Sequence, residues 1–84
     1  MGLKYSLYNV VWYDGVNAYV TKFILKSDKD GKRDLLNFWK EKGIDGRVLE
    51  VDLLYSITLE NIISFSNGDG EQKQAFKYFK EMYF

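Results

Sequence analysis

A short tetrapeptide occurs twice in the chain, Asp28-Lys29-Asp30-Gly31 and Asn67-Gly68-Asp69-Gly70, each preceded by a serine, Ser27 and Ser66. Oxygen-bearing side chains beside a glycine that permits a sharp bend open the calcium-binding loops, where Asp-x-Asp-x-Asp-Gly supplies the ligands. Each copy here is one acidic position short, and no Glu stands where a bidentate ligand would close the coordination sphere. Asp and Gly have a plainer use ahead of a helix, where Asp caps exposed N–H groups and Gly relieves the bend. The expectation is therefore two capped helix entrances, with neither metal nor cofactor.

A second set of carboxylates is Glu50 and Asp52, two residues apart on one face of a strand-like run, with Glu60 further on. If residues 57–66 return as the next strand, Glu60 comes close to the pair, and like charges held together raise one pKa as an acid-base pair requires. The ordinary reading of the same residues is a solvated strand face. The chain has no His and no Cys, so Ser/His/Asp and Cys/His arrangements and His- or thiolate-ligated metals are ruled out. Neither a G-x-G-x-x-G nor a G-x-x-x-x-G-K-S/T phosphate loop occurs. A noncatalytic protein is expected, with a carboxylate-metal enzyme as the remote alternative.

The third set is aromatic and basic. Tyr8, Trp12, Lys22 and Lys26, with Lys4, fall in the first third of the chain, and rings with cations on one sheet face bind single strands by stacking and phosphate contacts. The balance of 12 Lys and Arg against 12 Asp and Glu opposes a general nucleic-acid binder. A protein-docking surface explains the same residues. Tyr8, Trp12, Lys22 and Lys26 would form its basic part, and Glu50, Asp52 and Glu60 an acidic part able to imitate nucleic-acid phosphates.

The elements that must carry these residues read as two ββα units, pseudo-repeats at 3–43 and 47–84. Leu3 to Tyr13 alternates as a strand, Asp14-Gly15 is a strong hairpin signal, and Ala18 to Lys26 returns. A helix follows from about Gly31 to Lys42 with Leu35, Leu36, Phe38 and Trp39 on its apolar stripe, stopped by Gly43. Arg47 to Tyr55 alternates again, placing Leu49, Val51, Leu53 and Tyr55 inward. Ile57 to Ser66 is read as a fourth strand on the strength of the repeat, although Leu59 to Ile63 would also tolerate a helical turn. Glu71 to Phe84 is an amphipathic helix. At a shift of 40, Leu35 falls on Ala75, Phe38 on Tyr78 and Trp39 on Phe79. The expected fold is α+β, in ββαββα order, with one four-stranded antiparallel sheet and both helices packed on one face.

Eighty-four residues make one small domain without disulfides. Seven Tyr, six Phe and two Trp are more rings than so small a core encloses, so some are expected on a partner-binding surface. Residues 1–42 carry eight Lys and Arg against five Asp and Glu, and residues 43–84 four against seven. No run approaches the length of a membrane span and no signal-peptide pattern opens the chain, so a cytoplasmic location is expected. Ten Lys to two Arg, with abundant Ile, Asn, Tyr and Phe, is what AT-rich coding produces. The composition points to a low-GC bacterium, its phage or a mobile element. Size, aromatic surplus and missing catalytic residue types match the style of small phage or mobile-element inhibitors that dock on a host enzyme. Single-strand nucleic-acid binding by the first hairpin is the alternative function, and a domain-swapped or edge-to-edge homodimer the alternative assembly.

Overall fold

The computed structural model describes residues 4–84, so Leu3, placed by its pattern at the start of the first strand, lies outside the described residues. The elements are β1 (Tyr5–Tyr13), β2 (Ala18–Lys26), α1 (Lys29–Lys42), β3 (Arg47–Ile57), α2 (Leu59–Ser64), a 3-10 turn (Phe65–Asn67) and α3 (Gly70–Tyr83). The sheet has three antiparallel strands in the order β2-β1-β3. The expected four-stranded sheet with two helices on one face is thus incorrect.

The first hairpin forms as its sequence dictates, in unbroken register from Tyr5 opposite Lys26 to Tyr13 opposite Ala18. Its turn is closed by Asp14, whose Oδ1 accepts from the N–H groups of Val16 at 2.8 Å and Asn17 at 2.7 Å, while Gly15 takes a φ of 102°. Those two donors hold the Asp14 carboxyl below its ordinary value. Asp28 caps α1 by accepting from Asp30 N–H, and Gly43 ends the helix in the left-handed region at φ 63°.

The fourth strand fails because Thr58 caps a helix there. Its Oγ1 accepts from Asn61 N–H at 3.2 Å, and the hydroxyls of Ser64 and Ser66 donate to carbonyls three residues back. Helical spacing then buries Ile62 and Phe65 and leaves Leu59 and Ile63 exposed, where a strand would set Leu59, Ile63 and Phe65 on one face. With that strand gone the tandem ββα repeat fails upstream of the helices. Even the entrances differ, since Asp28, first of its tetrapeptide, caps α1, while Asp69, third of its own, caps α3. What persists is the helix pattern: Leu35 and Ala75, and Trp39 and Phe79, are all buried.

Helices pack on both faces of the sheet, over β1 and β2. Cross-strand partners share a face, so the register puts Tyr8, Val10, Phe23 and Leu25 together, under Leu35, Phe38 and Trp39 of α1. Leu7 and Ile24 lie on the opposite face with Ile57, beneath Ile62, Phe65, Ala75 and Phe79. Helix α3 meets both clusters along β2. Tyr78 stacks on Phe23 at 5.0 Å between centroids, Phe79 meets Tyr5 edge-on at 5.1 Å, and the Tyr83 hydroxyl accepts from Lys26 N–H at 3.2 Å.

Strand β3 departs from simple alternation. Its register against β1 skips one residue at Leu49 and one at Leu54, two β-bulges. Each bulge resets the faces: Val48, Val51 and Leu53 fall opposite Trp12, Val10 and Tyr8 on the α1 face, and Tyr55 falls opposite Leu7 on the other. The expected inward set of Leu49, Val51, Leu53 and Tyr55 is therefore broken up. Leu49 is 50%, Leu53 63% and Tyr55 53% exposed.

Candidate functional site

The residues expected to form one aromatic and basic surface stand on two faces. Tyr8 and Trp12 lie on the α1 face, Tyr8 only 7% exposed and Trp12 half-buried, stacked on Tyr19 at 4.6 Å with its Nε1 donating to Thr21 Oγ1 at 3.1 Å. Lys22 and Lys26 sit opposite Asn9 and Tyr5, on the other face. Lys22 Nζ is 2.9 Å from Glu71 Oε2, and Lys26 Nζ lies 5.5 Å over the Tyr83 ring. The hairpin thus offers no shared patch of these rings and cations.

Glu50 and Asp52 do share a face of β3, opposite Val11 and Asn9, and both are exposed. Glu60 is in the first turn of α2 rather than on a neighbouring strand, because β3 pairs with β1 and not with residues 57–66. Among the described residues no group of three or more Asp, Glu, His or Cys side chains is placed to hold a metal ion. At the two tetrapeptides the oxygens are spent on the helices: Asp30 Oδ1 pairs with Arg33 at 2.9 Å, and Asp69 and Gln72 form a reciprocal capping box.

The feature that sequence reasoning missed is the outer edge of β3. Edge pairing depends on strand order, which no local pattern supplies. Which backbone groups face outward follows from β2. Ser27 N–H donates to Lys4 C=O at 3.0 Å, while Lys26 N–H points away from the sheet to Tyr83. In an antiparallel ladder these directions alternate. Tyr5, Leu7, Asn9, Val11 and Tyr13 of β1 therefore bond toward β3, and their partners Ile57, Tyr55, Asp52, Glu50 and Arg47 bond back. Val48, Val51, Leu53 and Ser56 are left with N–H and C=O groups directed at open space.

The two long edges of the sheet are treated differently. α3 runs along the Lys22–Lys26 half of β2 and satisfies one of its outward N–H groups, whereas among the described residues no element pairs with the outer side of β3. The open edge is flanked by exposed apolar side chains on both sides, Leu53 on one and Tyr55 on the other, with Leu59 and Ile63 continuing along α2. Between the bulges the stretch Glu50 to Leu53 is regular, and its two carboxylates have no ion-pair partner among the described residues. Unpaired backbone groups beside apolar and charged side chains are what a strand-pairing surface requires.

Comparison with protein-family models, with curated proteins and with solved structures gave no match. No helix among the described residues is long and apolar enough to cross a membrane.

Proposed function

We propose that the chain is a small noncatalytic protein-binding module that receives an extended segment of another protein along the open edge of β3. The observation that carries this reading is the asymmetry of the sheet, one edge covered by α3 over Lys22–Lys26 and the other paired with no element among the described residues, with outward backbone groups at Val48, Val51, Leu53 and Ser56. Main-chain hydrogen bonds along such an edge give affinity, and side chains on alternate faces give selectivity. The AT-rich composition supports a phage- or mobile-element-encoded inhibitor or accessory protein whose partner is a host enzyme. Glu50 and Asp52 remain in the proposed surface. Tyr8, Trp12, Lys22, Lys26 and Glu60 lie outside it.

A photo-crosslinking residue in place of Leu53 tests the proposal, with one in place of Arg33 on the exposed side of α1 as control. Expression in a low-GC bacterial host should give a cross-link to one protein from position 53, absent from position 33. Val51→Pro removes an outward N–H without touching the β1 ladder and should abolish that cross-link. No cross-link from position 53, or one indifferent to Val51→Pro, overturns the reading.

A further inference from the structure

The partner's chemistry can be taken further, resting on the docking edge just proposed. Two copies of the chain are the first candidates for an unpaired strand, and the charges along β3 decide against them. The bulge-free stretch Glu50–Leu53 can pair antiparallel with itself through its outward residues when the two-fold axis passes at Val51 or at Asp52. The first places Glu50 opposite Asp52 of the second copy twice over; the second places Asp52 opposite Asp52. Like charges directly opposite on neighbouring strands are destabilising. A register bringing Arg47 opposite Asp52 of the other copy satisfies the charges but sets the Leu49 bulge of each strand against that of its neighbour, where the ladder is already interrupted.

We infer that the open edge of β3 selects an extended partner segment of alternating apolar and basic residues, with Lys or Arg opposite Glu50 and Asp52 and aliphatic side chains opposite Val51 and Leu53. Both carboxylates are exposed on one face, opposite Val11 and Asn9, and neither has a cation among the described residues. Lys22, across β1 on the same face, is engaged by Glu71. On the α1 face the partner's aliphatic side chains extend the apolar row of Val51 beside Val10 and Leu53 beside Tyr8. The acidic pair thus serves two ends, rejecting a second copy and rewarding a basic strand, which is selection by repulsion as well as attraction.

The test uses two peptides, Val-Lys-Val-Lys-Val-Lys and Val-Glu-Val-Glu-Val-Glu, titrated into the whole chain, with amide hydrogen exchange read at Val51 and Leu53. The Lys peptide should bind and slow exchange at both amides, with the Glu peptide weaker by about tenfold or more, a difference of roughly 1.4 kcal/mol. Glu50→Lys together with Asp52→Lys, exposed changes that leave the core intact, should reverse the preference, and Asp52→Lys alone should erase it. Equal affinity for the two peptides overturns the inference, as does absence of binding by the Lys peptide. Protection of Val51 and Leu53 in the protein alone as its concentration rises also overturns it, since a second copy would then occupy the edge. If the protein cross-linked at position 53 lays an acidic or uncharged strand there, the docking edge stands and this charge assignment falls.

Discussion

At Gly31, in the first turn of α1, an added Cβ would overlap the carbonyl oxygen of Lys26 and lie 3.2 Å from the Cβ of Leu25. The chain turns from β2 into the helix so tightly that backbone meets backbone with no room for a methyl group. Gly31→Ala should therefore destabilise the protein, against the gain of up to about 1 kcal/mol that Ala brings to an unconstrained helix. Overpacking of this kind costs about 1–3 kcal/mol, readable as a lower urea midpoint. Tyr83 is the other residue with an outsized position. Its hydroxyl accepts from Lys26 N–H at 3.2 Å and donates to Asp34 Oδ2 at 2.9 Å. Burial, reinforced by the Asp34 carboxylate, pushes the phenol well above its ordinary value of 10.0. A group whose pKa is higher in the folded chain binds its proton more tightly there, so its contribution is complete below the unfolded pKa and fades as pH rises. Stability should fall as pH climbs past the ordinary tyrosine value. Tyr83→Phe, less stable at neutral pH, should lose less over that range in parallel thermal melts.

The elements legible in the sequence are those whose signals are local. Asp14-Gly15 with strict alternation on either side specified the first hairpin, and Gly43 specified the end of α1, because turn and cap chemistry reside in one or two residues. The second half misled because its alternation held only between bulges. Skipped residues at Leu49 and Leu54 each shift the side chains by one, so a pattern that reads as a single inward face is divided over two. Residues 57–66 were ambiguous for a different reason. Their apolar positions fit both periods, and the Thr58 cap is what decides. Thr58→Ala should cost about 1 kcal/mol, the usual worth of such a cap, and a urea titration followed by far-UV circular dichroism measures it. Of the candidate site, Glu50 and Asp52 were legible as an exposed acidic pair. Val51 and Leu53 were not legible as outward-bonding residues, because that property follows from the order β2-β1-β3. For the same reason Val51→Pro should be mild for the fold, within about 1 kcal/mol, since β3 is an edge strand and the lost donor bonds to nothing within the sheet. The same urea titration would show a severe loss if Val51 N–H bonded to β1 instead.

Across the whole molecule, the charge difference between the halves acts within the fold. Two of the three ion pairs among the described residues join an early Lys to a late Glu, Lys22 to Glu71 at 2.9 Å and Lys42 to Glu81 at 2.6 Å, and both tie α3 to the elements of the first half. They orient the helix rather than hold it. Each involves partly exposed groups, and pairs of that kind contribute about 0–1 kcal/mol, screened further by salt. The hold comes from Ala75 and Phe79, both buried, and from Tyr78 against Phe23. Because α3 also covers the Lys22–Lys26 part of the β2 edge, its docking decides how much of that edge the sheet leaves open. Phe79→Ala should therefore cost about 3–5 kcal/mol, a large share of a small domain's stability. Lys22→Ala with Lys42→Ala should cost less than about 2 kcal/mol together. Urea titrations at low and high salt separate the two. If the double lysine variant proved as damaging as Phe79→Ala, and its effect vanished at high salt, α3 would be held electrostatically. The β2 edge would then open under ionic conditions that leave the rest of the core intact.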